Sequence, residues 1–445
     1  MTAARAGRLL ADIRPLRESP AFRRLWVGST LSAVGGALTM FAVPLQVYEI
    51  TRSPLAVGAL GVAEMIPTVT IGLLGGAIAD AVDRRKLVLV MTGCSAVVSG
   101  ALFLQALAGL GWLWFVYALV AISSAIGAVN APARRTLIRS TVTPGQLPAA
   151  LALNRVSFQT ILIGGPALAG VVTGAAGLRG CYLLDTVSFA GSVYGVFRMP
   201  AVPAAPDARS GRSQLARTGE GLAYIWRNRV LKGAFLSDLN ATFFALPVSL
   251  FPAINTARFG GDPRTLGLFS SAIGVGGMVT AVLSGPFAKV TRQGIGMLAA
   301  VAAWGLAFAI FAIAPSLWLT LLALGVAGAA DSITVMFRGI VVQRVTPPRL
   351  LGRVNAADYL VGAGGGQLGS LESGLVGAVT SAEVSALVGG MLTVAGAVAI
   401  VAGIPAFRRY RDEDVAASRS GGCISCARPA SVSAGGSSRT TDAAR

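Results

Sequence analysis

The groups in this sequence with the most chemistry to offer are carboxylates set inside long apolar runs. Glu64, Asp185, Asp238, Asp331, Asp358 and Glu372 each stand in a stretch apolar enough to lie in a membrane. A charge at a bilayer centre costs about 2.5–3.5 kcal/mol on insertion scales, so such groups are expected to bind, relay or gate. Depth sorts them. Glu64 lies about ten residues into its run, roughly 15 Å at the helical rise and near the midplane. It is expected to take up and release a proton, with Pro67 loosening the helix beside it. Asp238 and Asp331 are the other candidates for proton coupling or for holding a cationic group. Asp331 has a second reading, an ion pair with Arg338 two turns further along the same helix. Asp358 is expected to pair with Arg353, while Asp185 and Glu372 fall in outer halves, as gating groups or cavity wall.

Other chemistries are excluded by what is missing. With no histidine there is no Ser-His-Asp triad, no histidine base and no HExxH zinc site. The only lysines are Lys86, Lys232 and Lys289, and none follows a GxxxxG segment, so a Walker A phosphate loop is absent. Active transport would then draw on an ion gradient or on another subunit. Cys94 and Cys181 sit in apolar segments as small hydrophobes, and Cys423 and Cys426 make one CxxC without a second pair. No metal, cofactor or enzymatic activity is expected. The net charge of +18, from 37 basic and 19 acidic residues, invites a nucleic-acid reading. Composition argues against it: 54% of residues are apolar and 13% charged, against a globular norm of roughly 25% charged. A mean hydropathy of +0.69 describes an integral membrane protein that is basic.

Runs of about 20 apolar residues, enough to cross the hydrocarbon core, recur along the chain. They lie near 25–48, 55–79, 87–108, 112–132, 150–176, 178–198, 233–255, 265–288, 294–313, 316–337, 353–379 and 384–405. The expected fold is therefore all-α and integral to the membrane, with twelve transmembrane helices. The least hydrophobic run is 353–379, which carries GAGGGQLGSLESG. No cleavable signal peptide is expected, because residues 1–24 carry Arg5, Arg8, Arg14, Arg17, Arg23 and Arg24 without a short apolar core. With these spans, every Lys and Arg except Arg52, Arg179, Arg258 and Arg264 falls on the side of the N-terminus. That side is the cytoplasmic one, and both termini share it.

The polar segment 199–231 separates six spans (25–198) from six more (232–405), which reads as two six-helix bundles. Within it, TGEGLAYIWRNRVLKG places Leu222, Ile225, Trp226 and Val230 on one side of an amphipathic helix expected to lie on the membrane surface. Residues 1–24 form a cytoplasmic N-terminus, and 406–445, rich in Ser, Gly, Ala and Arg, read as a disordered cytoplasmic tail. The two halves echo each other. VTPGQL at 142–147 returns as VTPPRL at 345–350, and the same offset carries Arg135 onto Arg338.

Motifs narrow the family. The loop after the second span, GGAIADAVDRRK, resembles the major facilitator superfamily signature Gly-x-x-x-Asp-x-x-Gly-Arg-Arg/Lys. Gly76, Asp80, Arg84, Arg85 and Lys86 match, and Asp83 stands where the second glycine is usual. Physically, Gly76 would allow a tight helix contact and Asp80 would face a helix N-terminus and an arginine, holding a gate in one of two arrangements. Span eight ends in SGPFAKVTRQG, where Gly285 survives and Lys289 replaces the aspartate. IGGPALAG in span five is similar to the antiporter motif Gly-Pro-x-x-Gly-Gly, with Gly165, Pro166 and Gly170 matching and Ala169 replacing a glycine. Its proline would kink the helix and its glycines would let a neighbour approach. The arginine that drug/proton antiporters often carry in span four is missing from VAISSAIGAVNAP.

Over roughly 18–405 the chain resembles the siderophore-exporter branch of this superfamily, the enterobactin-exporter group. The resemblance is carried by PAFRRLW, AVPLQVYEITRSPLAVG and TPPRLLGRVNA. It implies a major facilitator fold in a bacterial inner membrane and proton-driven export by alternating access. The implied cargo is a small amphipathic metabolite such as a siderophore, moved by a monomer whose partners are protons, substrate and lipid rather than nucleic acid. Broad drug efflux is the alternative, and a non-transporting receptor or scaffold a distant one. Spans seven and ten, with Asp238 and Asp331, line the central cavity in this superfamily. An acidic siderophore would need a cavity cation, for which Arg155 is the candidate, with a surface anchor as its other reading. Phe41, Phe243 and Tyr359 are candidates to stack on a flat substrate or, equally, to pack.

Overall fold

The computed structural model describes residues 12–199, 214–288 and 290–411, leaving out the side chains of 73–81, 214, 215, 217, 288 and 363. Residues 200–213 of the 199–231 linker and most of the 406–445 tail, with Cys423 and Cys426, thus lie outside the described residues. What is described is helical, with no strand. In chain order the helices are α1 (Arg14–Glu18), α2 (Pro20–Thr51), α3 (Pro54–Ala81), α4 (Arg84–Leu107), α5 (Leu113–Thr141) and α6 (Leu147–Phe197). Then follow α7 (Gln214–Arg227), α8 (Arg229–Phe244), α9 (Phe251–Phe259), α10 (Pro263–Val282) and α11 (Ser284–Ala288). The last are α12 (Gln293–Ile313), α13 (Leu317–Val345), α14 (Pro348–Val379), α15 (Ala382–Gly403) and α16 (Pro405–Arg408). Among the described residues, 10 helical segments are long and apolar enough to cross a membrane. The helix α14 is long enough at 32 residues but is not one of them, because its glycines, serines and charged residues dilute its hydropathy.

Starts are written in the sequence as caps. Ser19, Ser316 and Ser381 accept hydrogen bonds from the backbone N–H three residues on, and Asp262 and Asn228 cap α10 and α8 from two residues before the bonded amides. Proline stands at the first or second position of α2, α3, α6, α10 and α14, where its missing N–H costs nothing.

Three features depart from the expected spans. Helix α6 runs 51 residues, but Gly177 inside it has φ 70° and ψ −176°, a conformation open essentially only to glycine. The chain reverses there. Cys181 Sγ lies 3.7 Å from the carbonyl of Ala169 and 3.2 Å from Thr173 Oγ1, contacts impossible along one straight helix. The two arms match the separate runs expected at 150–176 and 178–198. The run at 233–255, by contrast, is not one helix. It breaks after Phe244, passes through a short turn at Pro247–Leu250 and resumes as α9. Trp304 Nε1 donates to the freed carbonyl of Ala245 at 2.8 Å, and Phe251, Phe269 and Phe311 pack edge-to-face around the break. Third, α5 continues to Thr141, so Arg134, expected in a loop, lies within a helix and donates to Ser192 Oγ at 2.6 Å.

The amphipathic helix also ends earlier than expected. Asn228 caps the next helix, so α7 stops at Arg227 and Val230 belongs to α8. Ile225 is buried, Leu222 and Trp226 remain exposed, and Glu220 pairs with Arg353 of α14. The helix is therefore docked on α14 as well as presenting an apolar edge.

Small residues set the crossings. A Cβ on Gly58 would meet the Ser370 carbonyl at 2.5 Å, and one on Gly374 the Pro54 carbonyl at 2.6 Å, so α3 and α14 touch backbone to backbone. Gly170 faces the Pro263 carbonyl at 2.5 Å, joining the first arm of α6 to α10. Both crossings lie toward the end of the molecule that carries the 52–53, 177 and 260–262 connections. Gly276 and Gly328 bring α10 and α13 together, each facing a carbonyl of the other helix. Gly276→Val should lower the unfolding midpoint of the detergent-solubilised protein by an amount worth about 1–3 kcal/mol of overpacking. Gly72, with nothing within 4 Å, is the control. Gly72→Ala should leave the midpoint unchanged or raise it slightly.

Candidate functional site

One guanidinium ties three helices together. Arg338 on α13 reaches Asp238 Oδ2 on α8 at 2.7 Å and Asp358 Oδ1 on α14 at 2.9 Å. The first contact is a hydrogen bond; the second has ion-pair distance without hydrogen-bond geometry. The Arg338 and Asp238 side chains are 12% and 7% exposed, so this is a largely desolvated pair, with Asp358 closing it from a wetter side. The ion pairs expected from sequence are exchanged. Asp331 does not pair with Arg338 along α13, because the arginine is already held across the bundle, and Asp358 does not pair with Arg353, which is taken by Glu220. Asp331 is surrounded by protein and within electrostatic reach of Asp238 and Arg338, yet its side chain is open to solvent. Asp331 thus combines a protein surround with an exposed side chain.

Glu64 stands at the α3–α14 crossing. Its Oε2 accepts from Gln367 Nε2 at 2.8 Å, and Gly61, one turn away, packs against the Gln367 carbonyl at 2.6 Å. Between described residues this is the only hydrogen bond joining the part of the chain before 199 to the part after 229. Asp185 is different. It is 2% exposed, at the meeting of α2, α4 and the second arm of α6. Thr39 and Ser99 both donate to its Oδ2, at 2.7 and 2.6 Å, and its Oδ1 has no hydrogen-bond partner. Gly35 makes room for it, since a Cβ there would lie 2.6 Å from Oδ1. Asp185 is therefore packed inside a helix junction and not on a cavity wall. Glu372 is partly buried on α14.

The remaining expected residues are scattered by role. Arg155 is exposed on α6, with no ion pair to a described residue. Tyr359 is 63% exposed beside Asp358, whereas Phe41 is buried in the main core. Phe243 stacks edge-to-face on Phe244 at 5.1 Å, just before the α8 break. Gly165 and Gly170 of the antiporter-like segment contact Ala37 of α2 and Pro263 of α10, while the Pro166 carbonyl meets Gly267. That segment is thus the α6–α10 crossing itself. Gly76 and Asp80, expected in a loop, fall within α3, and the Asp80 side chain lies outside the described residues. Asp83 accepts from the N–H groups of Arg85 and Lys86 and so caps α4. The Arg85 guanidinium bonds the Phe197 carbonyl and lies over the Phe197 ring at 6.0 Å. Gln367, Thr39 and Ser99 were not anticipated. The signal for Gln367 was a polar residue directly after GAGGG at 362–366.

The sequence matches the profile of the transmembrane secretion effector family over residues 11–420. The chain belongs to that family of major facilitator transporters. It is 26% identical over 406 residues to the enterobactin exporter EntS of Citrobacter koseri, covering 90% of this chain and 96% of that one. Among solved structures, the nucleoside transporter NupG superposes with a TM-score of 0.70 at 16% identity, covering 88% of this chain and 100% of that one. A bacterial homologue of the iron transporter ferroportin in an inward-facing state gives 0.65 at 16% identity, over 87% of this chain and 98% of the other. The protein is a multi-pass membrane transporter with relatives that act in efflux.

In this transporter Arg338 holds two carboxylates, so removing it should strand both. Arg338→Leu is expected to cost about 3–5 kcal/mol of stability, the usual penalty for breaking a buried pair. Adding Asp238→Asn and Asp358→Asn to it should recover most of that loss, read from thermal unfolding of the three purified proteins.

Proposed function

We propose that the chain is a proton-coupled exporter of a small amphipathic metabolite, with a siderophore as the first choice of cargo. Counting both arms of α6 and the polar α14 with the other long helices gives twelve spans, in bundles over 25–198 and 232–405. The placement of Lys and Arg supports cytoplasmic termini in a bacterial inner membrane. In that orientation the glycine crossings α3–α14 and α6–α10 close the outer end, and the exposure of Asp331 fits an inward-facing arrangement. The bundles rock about this central site and work as a monomer.

One observation carries the mechanism. The hydrogen bond from Gln367 to Glu64 sits at an interface that must part when the outer end opens. A titratable group there changes charge where the two halves separate, which links proton uptake to opening. Each proton moving inward releases about 2.3 kcal/mol per 100 mV, enough to drive uphill export when combined with a pH gradient. Asp331 and Asp238 are the further coupling groups, and Arg155 and Tyr359 the candidates to meet an acidic, aromatic cargo. The cargo class rests on the similarity to the enterobactin exporters along nearly the whole chain.

Uptake into energised inverted vesicles, followed with a catecholate siderophore and with a cationic dye, tests both parts. The siderophore should move, and transport should stop when the proton gradient is collapsed. Movement of the dye alone would replace this cargo by broad drug efflux, and transport of neither would favour a non-transporting role. Glu64→Gln keeps an acceptor for Gln367 but cannot ionise. It should reduce gradient-driven export at least tenfold while leaving exchange down a substrate gradient in place, an effect worth about 1.4 kcal/mol or more in rate. Unchanged pH-driven export by this variant removes Glu64 from the mechanism.

A further inference from the structure

At the end of the molecule that carries the first and last described residues, Arg292, Arg408, Arg409 and Arg411 converge with Ile295 on a cavity of about 460 Å³. We propose that this cavity binds the phosphodiester headgroup of an anionic phospholipid. Bias of basic residues toward one side of a membrane accounts for arginines in these segments, but not for their convergence on one rigid recess.

The rigidity comes from Phe407. Its side chain is 0% exposed and sits between Gly233 of α8 and Gly294 of α12, where a Cβ on Gly233 would meet the ring at 2.5 Å. Arg409 N–H bonds the Pro405 carbonyl at 2.9 Å, Tyr410 N–H bonds the Phe407 carbonyl at 3.2 Å, and Tyr410 is itself buried. Arg408, Arg409 and Arg411 therefore project from an anchored turn. None of the four arginines is ion-paired to a described carboxylate; the described ion pairs belong to Arg14, Arg258, Arg338 and Arg353. Guanidiniums without a described carboxylate partner around a recess of this size suit a phosphate, which they bind through paired N–H donors.

What favours a lipid over a soluble phosphate is the surface leading to the cavity. Ile295 is 40% exposed on its wall, and Leu306 and Ile313 on the same helix are 53% and 64% exposed. They follow Ile295 by whole numbers of helical turns, so the three form one apolar stripe down α12 from the basic recess. A headgroup in the recess would lay an acyl chain along that stripe. Basic pockets between membrane helices recognise anionic headgroups in this way.

The test uses the full chain purified from mixed vesicles of phosphatidylcholine and phosphatidylglycerol, with retained lipid read by native mass spectrometry. Phosphatidylglycerol should be retained over phosphatidylcholine. Arg408→Gln, Arg409→Gln and Arg411→Gln together should lower its occupancy about fivefold or more. Replacing Arg17, Arg23 and Arg139, exposed arginines at the same end, with Gln should not. Equal retention of the two lipids, or an equal loss in the control variant, overturns the proposal. Complete displacement by inorganic phosphate assigns the recess to a soluble anion and overturns it as well. So does retention that begins only when Asp412, Glu413 and Asp414 are made Asn, Gln and Asn, because the chain's own carboxylates would then be the occupant. Unfolding midpoints of all variants, expected to match that of the unaltered chain, separate loss of binding from loss of fold.

Discussion

In a bilayer two helices gain nothing by hiding apolar surface from each other, because lipid is as apolar as the side chains. What remains is close van der Waals contact and the hydrogen bonds it permits, and both need backbones that approach. Glycine supplies this here. Gly58 and Gly374 let α3 and α14 meet, Gly170 and Gly267 do the same for α6 and α10, and Gly276 and Gly328 for α10 and α13. With a side chain at any of these positions the two helices it joins would stand further apart. At the α3–α14 crossing the Gln367 amide would then no longer reach Glu64, since that bond is made where Gly61 packs on Gln367.

The carboxylates divide according to what this closeness gives them. Asp238 and Asp358 are answered by a cation, Asp185 by two hydroxyls, Glu64 by one amide, and Asp331 by solvent. An aspartate fixed between Thr39 and Ser99 inside a packed junction has no path by which to meet cargo. The proposed coupling groups differ from it: Asp331 is exposed, and Glu64 is bonded once, across the α3–α14 crossing. Environment rather than depth is what separates these acids.

Hydropathy located the helices well because it measures what a segment of about 20 residues asks of its solvent. It found the two arms of α6 as separate runs and retained α14 despite its polarity. It could not see partners. The exchange that gives Arg338 to Asp238 and Arg353 to Glu220 is decided by which helices are neighbours, and nothing within 331–358 encodes that. The break at Phe244 was hidden for a similar reason: Pro247 and Pro252 are visible, but the Trp304 indole that satisfies the opened backbone lies on another helix. Arg134 was misplaced because a charge near a run's end reads as a boundary, whereas Ser192 lets it stay inside. The Gly-Pro segment was legible as a site of close packing, and its neighbour α10 was not.

The polar contacts also fall into groups that bear on motion. Asp185 links α2, α4 and the second arm of α6, while Arg338 links α8, α13 and α14. Rocking of the proposed bundles would leave both groups intact. It would break glycine contacts, individually weak, and the bond between Glu64 and Gln367, which as a hydrogen bond to a charged group is worth about 1.5–3 kcal/mol. No ion pair between described residues would have to be pulled apart into the membrane. A barrier built from one such bond and from van der Waals contact is of the size that a proton moving through the membrane field can offset. If the ion pairs crossed the same interface, the barrier would include the desolvation of stranded charges, and one proton would not suffice.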